Sequence, residues 1–313
     1  MQVHTDPGVL PPFHNAVVTI GTFDGVHKGH RRIIEQMLQV AEQVGGETVI
    51  LTFHPHPRMV VRGGQENPGL LTTPEERIAL LSSMGVDHLV VIPFTTSFSE
   101  MEAEEYVSDF LVHRFRPHTL IIGFDHRFGK ERRGDYRLLE RLSSGHGYRV
   151  QEIDAQVLDE VKVSSTRIRK ALLEGKASEA SELLGYPYTF SGRVMPGDRR
   201  GRTIGFPTAN LEEGPSWKLM PADGVYAVRA SLDRDGGGDW IDGMMNIGMR
   251  PTVDGTRRVT EVHLFDFDGD IYGRVLRVGV IDRIRDEMRF SGLDALRSRL
   301  EEDRRHARSL LRR

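Results

Sequence analysis

The chain has no cysteine among its 313 residues. That removes disulfides, thiolate metal sites and cysteine nucleophiles, and leaves any chemistry to histidine, carboxylates, hydroxyls and bound cations. Neither sign of charge dominates: 42 basic against 45 acidic residues give a net −3, too balanced for a chain that works mainly by neutralising nucleic-acid phosphates. No run of about 18 apolar residues is present, and the opening MQVHTDPGVLPPFHN lacks the basic start and apolar stretch of a signal peptide. A cytoplasmic protein that spans no membrane is expected. No Gly-x-x-x-x-Gly-Lys-Ser/Thr occurs either, which excludes a Walker-type phosphate loop. Internal repeats are absent, and Asp233–Asp239, with three glycines, is the one stretch near low complexity, read as a hairpin loop.

What is present is the composition of a globular protein, 38% hydrophobic and 28% charged, at a length that favours two domains. From Ala16 to about Leu184, short apolar runs alternate with amphipathic stretches, the pattern of parallel strands joined by helices. The expected strands are Ala16–Ile20, Thr48–Phe53, His88–Pro93, Thr119–Gly123 and Arg149–Ile153. Thr73-Pro74-Glu75-Glu76 starts a helix that runs through Leu81, with a capping hydroxyl, proline in the first turn and a glutamate to return the hydrogen bond. Another helix, Lys176–Leu184, stops at Gly185 and Pro187, and a domain boundary is placed near residue 186. Beyond it, Gly224–Ala230, Thr260–Phe267 and Arg274–Ile281 read as strands of a small antiparallel β-barrel. The stretch Leu293–Leu311 repeats apolar residues at 293, 296, 300, 307 and 311, a helix whose arginines are expected to face water.

Directly after the first strand comes Gly21-Thr22-Phe23-Asp24-Gly25-Val26-His27-Lys28-Gly29-His30, and then the helical run Arg31–Val40. Strand, glycine-rich turn and helix make a phosphate cradle: Gly21, Gly25 and Gly29 let backbone N–H groups approach an anion, the helix N-terminus adds partial positive charge, and His27 and His30 can reach one phosphate chain. A tight turn without ligand is the plainer reading of the glycines alone. Phe53-His54-Pro55-His56-Pro57, Gly123-Phe124-Asp125-His126-Arg127-Phe128-Gly129 and Val163-Ser164-Ser165-Thr166-Arg167 also follow strand ends, where open α/β sheets bind ligands.

The HxGH segment resembles the signature of the nucleotidylyltransferase superfamily, in its bacterial FAD synthetase branch. The second half, with Gly192-Arg193-Val194, Gly197, Gly201-Arg202, Gly205-Phe206-Pro207-Thr208-Ala209-Asn210, Asn246-Ile247-Gly248 and Glu261-Val262-His263, closely resembles riboflavin kinase. Together these imply a Rossmann-like parallel α/β domain at 1–186 and a β-barrel kinase with a C-terminal helix at 187–313. They imply phosphorylation of riboflavin to FMN and adenylylation of FMN to FAD, with ATP in each step and Mg²⁺ as cofactor. The resemblance gives catalytic roles to His27, His30, Arg167 and Glu261, the last as the base. Nucleotide or phosphate contacts fall to Gly21, Phe23, Asp24, Gly25, Gly29, Ser164, Ser165, Thr166, Gly192, Gly197, Arg202 and Gly205. Flavin contacts fall to His56, Asp125, Arg127, Phe128, Arg285 and Glu287, and Mg²⁺–ATP to Thr208 and Asn210. Two departures stand out. His126 occupies a position where the family usually has an aromatic residue, and Arg283-Ile284-Arg285-Asp286-Glu287-Met288-Arg289-Phe290 stands where it tends to place Phe-Leu-Arg-Pro-Glu-x-Lys-Phe.

Overall fold

The computed structural model describes residues 1–61, 69–123, 126–153, 163–197, 200–212, 214–232, 239–252 and 255–312. It divides into two compact units, Met1–Ser165 and Thr166–Arg313. Asp125 and positions 233–238 of the expected hairpin loop lie outside the described residues.

The first unit is built on a six-stranded sheet: β1 (Gln2–His4), β2 (Val17–Ile20), β3 (Thr48–His54), β4 (His88–Pro93), β5 (Thr119–Gly123) and β6 (Arg149–Ile153). All pairings are parallel, in the order β1-β4-β3-β2-β5-β6. The central strands are buried on both faces, so they appear in the sequence as unbroken apolar runs rather than alternating ones. Strand β1 has no such run: it is three residues at the edge, two of them exposed. Helix α1 (Lys28–Val44) and α2 (Pro74–Ser82) bring Ile34, Met37 and Leu81 to one face of the sheet, and α3 (Tyr136–His146) brings Leu138 and Leu139 to a second core that holds Tyr106, Phe110 and Phe128. The expected capping box on α2 is made in both directions, Thr73 Oγ1 accepting from Glu76 N at 3.2 Å and Glu76 Oε2 from Thr73 N at 2.9 Å. From β2 the chain builds outward through β3 and β4, then crosses to β5 on the other side of β2. The carboxyl ends of β2 and β5 therefore flank the reversal in strand order where such sheets open a crevice.

The second unit contains α4 (Ser165–Leu173, which starts on the last residue of the first unit), α5 (Ala177–Leu184) and a closed six-stranded barrel. Its strands are β7 (Tyr188–Met195), β8 (Ala209–Leu211), β9 (Gly224–Ser231), β10 (Ile241–Thr252), β11 (Gly255–Leu264) and β12 (Val275–Arg285), in the order β10-β11-β8-β7-β12-β9. Helix α6 (Leu293–Leu311) packs Ala307, Leu310 and Leu311 against Phe206, Ala227, Met244 and Phe265. Two expectations for it are corrected. Leu293 is 61% exposed, because the packing is carried by the C-terminal half of the helix. Its arginines do not simply face water: Arg304 lies 5.2 Å from the Phe206 ring centroid and Arg308 4.9 Å from that of Phe265, with Arg308 also paired to Asp266. Long cationic stems cover apolar rings and keep their heads hydrated.

Candidate functional site

The loop after β2 is held under strain. Phe23 at φ +47° and Val26 at φ +35° sit in the left-handed region beside Gly25 at φ +85°, a costly state for a β-branched residue and one found where a loop is fixed for function. Asp24 shows what fixes it. Wholly buried, its Oδ1 accepts from Leu71 N at 2.9 Å and from Thr72 N at 3.1 Å, while Thr72 Oγ1 accepts from Gly25 N. The side chain expected to meet phosphate thus anchors the loop to the 70–72 segment. Beneath it Arg77, unremarked in the sequence as one more helix arginine, is 5% exposed and donates to Thr52 Oγ1 at 3.2 Å. Burial pulls the Arg77 pKa down, against the opposing pull of Asp24.

Helix α1 starts at Lys28, earlier than the expected Arg31, so Gly29 and His30 belong to its first turn and His27 is its cap. His27 Nδ1 accepts from His30 N at 3.3 Å, which leaves Nε2 as the ring's N–H donor. The two rings stack with centroids 3.6 Å apart and 13° between planes, and Phe23 closes on His30 at 4.9 Å. Burial, then His27 and Arg77, hold the His30 pKa well below its usual 6.5. His30 is thus held as a neutral imidazole that can still donate from one ring nitrogen. The shift has a stability consequence: the unfolded ring takes up a proton near pH 6.5 that folded His30 refuses, so stability falls as pH drops below that value. His30→Gln should flatten the pH dependence of thermal unfolding of the first unit between pH 6.5 and 5, by up to about 1.4 kcal/mol per pH unit.

Ser165 joins this loop through its Oγ, which donates to Asp24 O at 3.0 Å, while Ser164 and Thr166 are exposed. Thr166 and Arg167 belong to the second unit, where Arg167 Nη2 meets Glu179 Oε1 at 3.0 Å. Of the expected flavin residues in the first half, His56 is buried with Nδ1 accepting from Arg58 N. Arg127 pairs with Asp135 at 3.0 Å, and Phe128 stacks on Tyr106 in the core at 5.1 Å.

In the barrel, strand register assembles the site. Glu261 on β11 lies opposite Asn210 on β8 and opposite Asn246 on β10, so three polar side chains from adjacent strands share one face. Asn246 was missed because only the register brings it into the row. This face lines a cavity of about 390 Å³ with Thr208, Arg250, His263, Arg285, Glu287, Met288, Phe290 and leucines of α6. Arg250 Nη1 comes within 4.0 Å of Glu261 Oε1. His263, on the same face as Glu261 as strand alternation requires, donates from Nδ1 to Pro207 O at 2.8 Å, and burial lowers its pKa. Gly197 gives Asn210 its room, since a Cβ there would lie 2.0 Å from Asn210 Nδ2.

Ala209 and Val262, on the opposite face of the same strands, line a cleft of about 570 Å³ with Val194, Arg202, Phe267 and Tyr272. Thr208 borders both spaces. Gly205 turns at φ +82° ahead of Phe206, and Gly192 serves packing, its would-be Cβ lying 2.8 Å from Glu212 O. The unusual β12 terminus is self-consistent: Arg283 and Asp286, standing where the family tends to place Phe and Pro, pair with each other at 2.9 Å. Glu287 lies against Gly248 and accepts from Met249 N at 3.4 Å.

A parallel sheet with a strained loop and histidine-capped helix at its switch point, joined in one chain to a barrel with a carboxylate between two amides, defines a two-unit nucleotide-using transferase. The family model for FAD synthetase matches residues 11–167 and that for riboflavin kinase residues 184–311. A bifunctional riboflavin kinase/FMN adenylyltransferase of Listeria monocytogenes is 38% identical, covering 94% of this chain and 92% of its own length. Proteins of that description from Escherichia coli and Bacillus subtilis are 37% and 35% identical, over 95% and 93% of this chain and 93% and 91% of their own. A crystal structure described as a macrolide-efflux protein from Streptococcus pneumoniae matches with TM-score 0.84 at 32% identity, covering 98% of each chain. No helix among the described residues is long and apolar enough to cross a membrane. The chain belongs to the bifunctional riboflavin kinase/FMN adenylyltransferase family.

Proposed function

We propose that this chain phosphorylates riboflavin to FMN in its barrel and adenylylates FMN to FAD at the loop after β2, consuming one ATP in each step. The observation that carries the kinase reading is the row Asn210–Glu261–Asn246 facing one cavity, with a second cleft behind the same strands. Riboflavin occupies the cavity, whose walls include Met244, Met288, Phe290 and Leu296; ATP occupies the cleft, with Phe267 and Tyr272 for its base and Arg202 for its phosphates. Thr208, bordering both, stands where the γ-phosphate meets the ribityl hydroxyl. That hydroxyl is a poor nucleophile at neutral pH, and Glu261 takes its proton as the new P–O bond forms and ADP leaves.

Adenylyl transfer poses a different problem. The second pKa of a phosphate monoester is about 6, so FMN arrives as a ready nucleophile and the barrier is anion repulsion. His27, neutral His30 and the N–H groups at the start of α1 stabilise the charge as FMN attacks the α-phosphate of ATP and pyrophosphate departs. Catalytic division near residue 186 accompanies this reading, with α4 and α5 packing with the barrel. The reactions place the protein with soluble metabolites in the cytoplasm.

The donors available to a metal in the kinase site are the Thr208 hydroxyl and the Asn210 amide oxygen. No group of three or more His, Asp or Glu side chains fit for a metal occurs among the described residues. Two neutral oxygens suit Mg²⁺, which keeps waters and takes its charged ligands from phosphate. Asn210→Ala is expected to raise the Mg²⁺ concentration for half-maximal FMN formation several-fold, with the requirement of FAD formation from supplied FMN unchanged. Flavins separated by chromatography after reactions started from riboflavin and from FMN measure both. An unchanged Mg²⁺ requirement for FMN formation removes Asn210 from the metal site.

A further inference from the structure

Asp303 is a buried acid in a helix whose other inward residues are apolar. Its side chain has no exposed surface, and nothing in the reactions above uses it. Arg285 Nε lies 3.0 Å from each Asp303 oxygen, and Arg285 Nη2 donates to Oδ2 at 2.7 Å. A second arginine, Arg299, reaches Oδ1 at 3.1 Å. Burying a carboxylate is costly unless it is paired and hydrogen-bonded, and here the pairing is with a planar fork that fixes orientation as well as charge.

Arg285 is where β12 ends. Its remaining Nη1 donates to Asp286 O at 2.8 Å and its guanidinium stands 5.7 Å from the Phe290 ring centroid. The chain then runs through Glu287, Met288 and Phe290, all of which line the cavity, before α6 contributes Leu293, Leu296 and Leu300 to its wall. Residues 285–290 have no strand or helix of their own beyond Arg285. They are clasped at three points: Asp286 on Arg283, Glu287 on the backbone of Met249, and Arg285 on the buried Asp303.

We propose that Asp303 is a positioning residue for the flavin: through the Arg285 fork it holds residues 285–290 over the cavity in the conformation that binds riboflavin. The proposal rests on the assignment of riboflavin to that cavity. If the closed segment is populated only a fraction of the time, apparent affinity falls by that fraction, while the reacting groups on β8, β10 and β11 keep their geometry. The signature is a change in KM for riboflavin without one in kcat.

The test is steady-state FMN formation by full-length Asp303→Asn, with FAD formation from supplied FMN as the internal control. A segment closed a tenth of the time raises the riboflavin KM about tenfold, with kcat and the KM for ATP within about twofold. Arg299→Gln, which leaves the Arg285 fork in place, should hold all three within about twofold. Arg285→Lys, which keeps the charge and loses the bidentate contact, should reproduce the rise and decides the matter if Asp303→Asn does not fold. A riboflavin KM unchanged in a folded variant, or a rise shared equally by the ATP KM and matched by a loss in kcat, overturns the proposal. Leu296→Trp separates the two layers: if filling the cavity leaves the riboflavin KM unchanged, the cavity assignment has failed; if it raises KM while Asp303→Asn does not, only the role of Asp303 has.

Discussion

Glu261→Gln should lower the rate of FMN formation from riboflavin by about 10²–10⁴-fold, the range typical of a lost general base, and leave FAD formation from supplied FMN at the parental rate. The substitution is nearly isosteric, and Glu261 is not in the hydrophobic core. It lines the cavity, with Arg250 Nη1 at 4.0 Å. Loss of fold is therefore not the expected outcome, and what disappears is a carboxylate able to take a proton. The two product assays read different units of one chain, which makes the variant self-controlling. Loss of both activities would point to misfolding, and an unchanged rate of FMN formation would exclude Glu261 as the base.

His30→Ala should do the reverse, cutting FAD formation from FMN by about 10²–10³-fold, as for removal of a donor to developing charge, while FMN formation from riboflavin continues. The α1 cap survives, because it is the backbone N–H of His30 that donates to His27 Nδ1. The same change at His27 would be harder to read, since one ring is both helix cap and phosphate donor. In His30→Ala the ring stacked at 3.6 Å on His27 and 4.9 Å from Phe23 is removed, which also frees His27 to turn. Unchanged adenylylation would remove His30 from the transfer site and leave the loop with its glycines and His27.

Residues with a local signal were legible in the sequence. Strands β2 to β5 are largely buried on both faces, so their apolar runs mark them to within a residue or two, while β6, at the edge, shows only Val150 and Ile153 as apolar positions. The Thr73 cap states its own chemistry in four letters. Strand β1 was invisible because it is short, polar and at an edge, where pairing with β4 rather than its own residues makes it a strand. Asp24 was given a ligand contact by the resemblance alone; that it is buried against the 70–72 segment, distant in sequence, has no local signal. Asn246 and Asp303 needed tertiary structure outright, the first through strand register and the second through an arginine 18 residues away. Arg283 and Asp286, each odd alone, make sense as a pair.

The row Asn210–Glu261–Asn246 works as a ruler whose divisions are cut into the backbone. Adjacent strands stand about 4.8 Å apart whatever their side chains, so the separation between the carboxylate and the two amides that flank it is inherited with the sheet. Such a site forgives exchange of letters around it far better than a change in their number. Dropping one residue from β11 would swing Val262 into the place of Glu261 and turn the carboxylate toward the opposite cleft. Descendants of this chain are thus free to vary length between the strands, and bound to keep count within them.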